Sequence, residues 1–282
     1  MKTGLVLEGG AMRGMYTAGV LDVMMENQIE VDGTIGVSAG AVFGCNYKSR
    51  QIGRVIRYNK KYCNDPRFGG LRSYLKTGDI FDIDFCYYEI PQVLDPFDEE
   101  AYEANPMEFY VVCTDVKTGE PVYHKCVTAV NEDLDWMRAS ASMPFVTNVV
   151  KVDGMELLDG GISDSIPVRW FRSIGYKKNI VILTRDEQYR KKPQYSLPFL
   201  SPMIRKYPAV IEAMRKRHRM YNRELDYIRR LEEAGWALVI RPSSPIEISK
   251  TEKDTRKLEE VYQLGRKDGL AYLDRIKAFA AK

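Results

Sequence analysis

Short apolar runs, each broken by glycines and followed by a stretch of helical period, set the rhythm of the first sixty residues. Gly4-Leu5-Val6-Leu7 stops at Glu8-Gly9-Gly10, and Val20, Leu21, Val23 and Met24 then give 15–27 one buried helical face. A second run through Val31 and Ile35 breaks at Gly36-Val37-Ser38-Ala39-Gly40, and helix is predicted over 39–49 and 52–62. Two strand–loop–helix units this close in sequence predict adjacent parallel strands with right-handed crossovers. Both loops then emerge at one edge of the sheet, where ligands of such folds bind.

From 64 to 106 the periodicity fails. Pro66, Gly69, Gly70, Pro91, Pro96 and Pro106 interrupt it, and aromatics are dense, so a partly helical, cap-like insertion over the site is expected. Residues 109–114 read as a buried strand that turns at Thr118-Gly119-Glu120 into a second strand. Asn131 is expected to cap a helix to about Ser140, and Ala139 to Phe145 to form a tight corner. Asp153-Gly154 marks a hairpin between 149–152 and 155–158, which delivers Asp159 into the Gly160-Gly161 turn. Strands are expected at 179–184 and 237–240, and terminal helix over 251–281. Between them, Ile211, Met214, Tyr221, Leu225, Ile228 and Leu231 recur at helical spacing over 208–234. The opposite face of that helix carries Arg215, Lys216, Arg217, Arg219, Arg223, Arg229 and Arg230. The whole reads as one domain over 1–282, with a catalytic core of about 4–184 and a helical C-terminal region of about 200–282.

Composition removes several function classes. A net charge of +3 over 282 residues is too small for a nucleic-acid binder. No apolar run approaches the roughly 20 residues that span a bilayer. The N-terminal segment meets Glu8 too early for a signal-peptide core, so a cytoplasmic protein is expected. Five cysteines without a Cys-x-x-Cys pair suit reduced, buried thiols, and two histidines make a zinc site unexpected. Nothing in the pattern sets the oligomeric state.

The candidate chemistry lies on three loops. In Gly36-Val37-Ser38-Ala39-Gly40 the glycines let strand and helix pack close, leaving a serine hydroxyl projecting from a sharp turn. Acyl transfer needs that nucleophile, a base and donors for the oxyanion. Asp159, held in its glycine turn by Gly160 and Gly161, is the candidate base, and the amides of Gly9, Gly10, Ala11, Met12, Arg13 and Gly14 are the candidate donors. His124 lies in a strand and His218 inside the basic helix, poor platforms for a mobile base, so a Ser–Asp dyad explains the residues better than a triad. The alternatives are a Ser38–His218–Asp159 triad esterase, or a non-enzymatic protein binding an anion or nucleotide at the glycine-rich loop. That loop lacks the Lys and Ser/Thr of a P-loop. Arg13 either orients the loop, attracts an anionic head group or forms a surface salt bridge.

These motifs, in this order over about residues 4–184, resemble the patatin-like phospholipase family. The resemblance implies a three-layer α/β/α fold with a mostly parallel central sheet. It implies a Ser–Asp dyad that hydrolyses acyl esters of lipids without a cofactor, with Ser38 as nucleophile, Asp159 as base and the loop around Gly10 and Ala11 as oxyanion hole. Ala11 stands where the family more commonly has a third glycine. The basic face of the 208–234 helix is either solvated or a candidate for peripheral contact with an anionic membrane.

Overall fold

The structure, a computed structural model, describes residues 1–281. Eight strands form one mixed sheet: β1 (Thr3–Leu7), β2 (Gly33–Val37), β3 (Glu108–Asp115), β4 (Pro121–Lys125), β5 (Val150–Val152), β6 (Met155–Asp159), β7 (Lys178–Ile182) and β8 (Ala237–Ile240). The hydrogen-bonded order is β5-β6-β3-β2-β1-β7-β8, with β4 also on β3. The stretch from β3 through β2, β1 and β7 to β8 is parallel throughout; β4, β5 and β6 run antiparallel to their neighbours.

Strand alternation divides the core into two layers. Leu5, Leu7, Ile180, Ile182, Leu238 and Ile240 face one side. There they meet α1 (Gly14–Glu26), α2 (Ala39–Lys48) and α3 (Arg54–Tyr62). Val6, Ile35, Val37, Val112, Val181 and Val239 face the other, against Phe171, Tyr221, Ile228 and Leu231. Helix on both faces of a mostly parallel sheet is the α/β/α arrangement expected from the sequence.

The insertion contains α4 (Leu71–Thr77), an Asp84–Leu94 π-helical run that includes Pro91, and α5 (Glu99–Ala104). α6 (Asn131–Ser140) follows β4. Asn131 does not cap it; Asp133 instead accepts hydrogen bonds from the Val127 and Thr128 amides at 2.8 Å each, tying down the preceding turn. α7 (Val168–Ser173) and α8 (Leu197–Leu200) are short, and α9 (Pro208–Glu233) is the long basic helix.

The expected terminal helix is two helices, α10 (Thr255–Ala271) and α11 (Leu273–Ala280). It starts late because the Asp254 carboxylate accepts from the Arg256 amide and fixes the N-terminus there. The C-terminal region is more than helix appended to a core. β8 extends the sheet beyond β7, and α10 lies against α1 through glycines: a β-carbon on Gly19 would stand 2.2 Å from the Tyr262 carbonyl oxygen, and one on Gly265 2.0 Å from that of Tyr16. Tyr262 donates to Asp22 at 2.6 Å and Tyr16 to Asp268 at 3.1 Å across the same contact. Among the described residues no helix is long and apolar enough to cross a membrane.

Candidate active site

Ser38 stands at the N-terminus of α2 directly after β2, at φ 56° and ψ −123°, with its side chain making no capping hydrogen bond. A non-glycine residue here is strained, and the packing that holds it is visible on both sides. A β-carbon on Gly36 would stand 2.3 Å from the Gly40 carbonyl oxygen, and one on Gly40 2.4 Å from that of Leu7. Strand and helix therefore touch backbone to backbone, as the glycine spacing required. The Ser38 amide donates to Ser140 Oγ at 3.0 Å, and Ser140 donates to the Val112 carbonyl at 2.6 Å. Sequence reasoning marked the corner containing Ser140 but not this role in bracing the turn.

Asp159 reaches the same place through sheet register. Residues 110–112 of β3 pair with both β2 and β4, and residues 113–114 pair with both β4 and β6. β2 and β6 therefore lie end to end along the same edge of β3. Val37 is opposite Val112, and Asp159 is opposite Cys113. The last residue of β6 thus meets the turn that ends β2. The Asp159 carboxylate is buried and accepts the Gly161 amide at 2.7 Å. Burial pushes its pKa up; the Arg217 guanidinium, the Ser38 hydroxyl and the Gly161 amide oppose that shift. A buried carboxylate whose pKa is raised by its surroundings is suited to accept a proton. Gly160 has no room for a side chain: its β-carbon would stand 2.1 Å from the Val112 carbonyl oxygen.

The glycine-rich loop lies against the elbow. A β-carbon on Gly9 would approach Ser38 Cβ to 2.8 Å. Ala11 takes φ 49°, the left-handed region that a glycine would adopt more readily. The Arg13 amide closes a turn onto the Gly10 carbonyl at 3.1 Å, and α1 begins at Gly14. Its N-terminal end adds positive potential where the loop amides gather. Met12 is buried beneath. Glu8, just before the loop, accepts from the Thr184 amide at 2.6 Å and from Tyr221 Oη at 2.6 Å, which ties the loop to the end of β7 and to α9.

An apolar cavity of about 150 Å³ opens from Ser38, lined by Ala11, Met12 and Phe43 and, from the insertion, by Phe68, Tyr87 and Ile90. His218 forms no hydrogen bond with Ser38 or Asp159, and its Nδ1 is buried without a partner. His124 is held at 2.6 Å by Asp133 and stacks on Trp136 with ring centroids 4.3 Å apart. Arg217 was expected on the solvated face of α9. It is half-buried instead, donating to the Gly161 carbonyl beside Asp159. Helical periodicity could not show this, because one turn of α9 runs over the Gly160–Ile162 loop.

Comparison with known proteins follows the same outline. The family model described as patatin-like phospholipase matches residues 5–171, and one described as a domain of unknown function, DUF6363, matches residues 207–281. The chain is 33% identical over 201 residues to the uncharacterized protein YjjU of Escherichia coli K12, covering 68% of this chain and 54% of that one. It is 25% identical over 297 residues to lysophospholipase nte1 of Aspergillus niger, covering 97% of this chain but 18% of that one. The chain thus spans about half of the first relative and under a fifth of the second. VipD of Legionella pneumophila overlays on 97% of this chain and 67% of its own, with a TM-score of 0.47 and 11% identity. With its family model covering more than half of the residues, the chain belongs to the patatin-like phospholipase family.

Proposed function

We propose that the protein is a serine acyl hydrolase that cleaves carboxylic ester bonds of lipids through a Ser38–Asp159 dyad. One observation carries the reading: sheet register brings the buried Asp159 carboxylate to the turn that holds Ser38, beside the glycine-rich loop and an apolar cavity. Asp159 takes the Ser38 proton as Ser38 Oγ bonds to the ester carbonyl carbon. Amides of the Gly9–Gly14 loop hold the oxyanion, with the positive end of α1 behind them. The carbon–oxygen bond to the alcohol breaks, and the alcohol leaves with the proton from Asp159. Water then attacks the acyl-serine, giving its proton to Asp159, and the serine leaves protonated with release of the fatty acid. The cavity takes the acyl chain. The family membership and the lysophospholipase name of a relative support a lipid ester as substrate.

The solvent face of α9, with Arg215, Lys216, Arg219 and Arg223 exposed, is suited to peripheral contact with anionic membrane from the cytoplasmic side. Salt-sensitive association with anionic vesicles, absent from neutral ones, is the expected behaviour. The hydrolase reading is tested by a fluorophosphonate probe and p-nitrophenyl acyl esters. Ser38→Ala should lose both labelling and turnover, and Asp159→Asn should lose turnover while staying folded. Parent-level hydrolysis in either variant removes the dyad.

A further inference from the structure

Five cations lie within reach of one another's fields on the side of Glu8 and Asp159: Arg13 and Arg185 from loops at the ends of β1 and β7, Lys191 farther along the second loop, Arg217 from α9 and Lys250 after β8. None forms an ion pair with a carboxylate, although the surface elsewhere carries many such pairs. The carboxylates whose fields reach Arg13, Lys191 and Lys250 are Glu8 and Asp159. Glu8 is already engaged by Thr184 and Tyr221, both neutral donors. Asp159 is engaged by the Gly161 amide. Arg13 Nε is buried with no acceptor. Two aromatic rings shape the wall: Lys191 lies 4.6 Å over Tyr221 and Arg185 4.5 Å over Tyr189, with the two rings edge to face at 5.9 Å.

Cations this close repel one another. Burial and the fields of Arg217, Arg13 and Arg185 hold Lys191 down to about 7, and burial with Arg217 and Arg13 lowers Lys250. An anion bound among them would relieve the repulsion and fill the open donors.

We infer that Lys191, Arg217 and Lys250, all outside the segment matched by the patatin model, form with Arg13 and Arg185 a phosphate-binding subsite that selects ester substrates with a net-anionic head group. The inference rests on the acyl-hydrolase reading for its substrate. A phosphate monoester or an unmasked phosphodiester satisfies the cations. A phosphocholine or phosphoethanolamine head group adds an ammonium, and the two carboxylates whose fields reach Lys191 and Lys250, Glu8 and Asp159, are already engaged.

The test uses the full chain and the double variant Lys191→Gln/Lys250→Gln, with substrates of one acyl length: lysophosphatidate, lysophosphatidylcholine and monoacylglycerol. In the parent, kcat/KM for lysophosphatidate should exceed that for each of the others by about tenfold or more, the scale of one or two charge-assisted hydrogen bonds. In the double variant that ratio should fall close to one. An equal ratio in parent and variant overturns the subsite. Inorganic phosphate is the second arm, read as inhibition of p-nitrophenyl ester hydrolysis and as a shift in thermal midpoint. Inhibition by phosphate without any head-group preference identifies a free-anion site and overturns the head-group assignment. If no ester is hydrolysed, the hydrolase reading fails, and the thermal shift alone then decides the subsite: a shift in the parent that the double variant lacks sustains it, and no shift in the parent removes it.

Discussion

Gly9 and Ser38 are packed so closely that a β-carbon on the glycine would stand 2.8 Å from Cβ of the serine and 2.8 Å from the Val37 carbonyl oxygen. Both neighbours are held, one by the strained turn and one by the strand. Gly9→Ala must therefore push the loop away from the serine. The expected loss is that of an oxyanion donor, on the order of 10²–10³ in kcat. A p-nitrophenyl ester assay on folded variant reads it. Parent-level turnover in this variant would show that these amides do not hold the oxyanion.

His218 offers the discriminating substitution against a triad. It makes no hydrogen bond with Ser38 or Asp159, so His218→Gln should keep kcat within a factor of about three. A triad histidine removed in this way costs about 10⁴ or more, and a loss of that size would restore the triad.

The insertion is pinned to α3 by charge. Arg54, buried, lies 3.3 Å from the Asp95 carboxylate and donates to the Asp95 carbonyl at 2.6 Å and to Asn46 at 2.9 Å; Arg57 donates to the same carboxylate at 2.7 Å. Asp95→Ala would leave a buried guanidinium without its counter-charge. Destabilisation of about 3–5 kcal/mol is expected in urea unfolding, with earlier proteolysis between 64 and 106. A variant as stable as the parent would mean that water already solvates Arg54.

Glu224, on the inner face of α9, and Asp164 are both buried and influence one another's charge. The Ile166 amide donates to Glu224 at 3.1 Å, and Tyr123 donates to Asp164 at 2.7 Å. Burial and the neighbouring Asp164 push the Glu224 carboxyl well above its ordinary 4.5. The folded protein then holds a proton that the unfolded chain releases. That stability is fully present below about pH 4.5 and is lost as pH rises toward the raised value. Glu224→Gln keeps the acceptor and the donor without the ionisation. Its thermal midpoint should gain on the parent from pH 5 to pH 9. Parallel pH profiles would mean that Glu224 is not held protonated in the folded protein.

The elbow, the loop and the aspartate were legible because glycine leaves a signature where backbones touch, and Gly36, Gly40 and Gly160 each have a carbonyl oxygen where a side chain would go. The two parallel units followed from short apolar runs at close spacing. What stayed hidden depends on tertiary neighbours. Arg217 reads as one more surface cation, and only the crossing of α9 over the Gly161 turn draws it inward. Lys191 and Lys250 sit in loops far apart in sequence. Ser140 is an ordinary small residue until Val112 and Ser38 close on its hydroxyl. The Asp84–Leu94 run was opaque because Pro91 breaks the usual helical pattern.

The glycine seam between α1 and α10 binds the two halves of the chain into one inheritance. α1 starts where the glycine-rich loop ends, and α10, from the second matched segment, sits on it with no space for even a methyl group at Gly19 or Gly265. Grafting this C-terminal segment onto another family member would succeed only where the recipient's first helix carries a matching notch, so the two segments can diverge only as a pair.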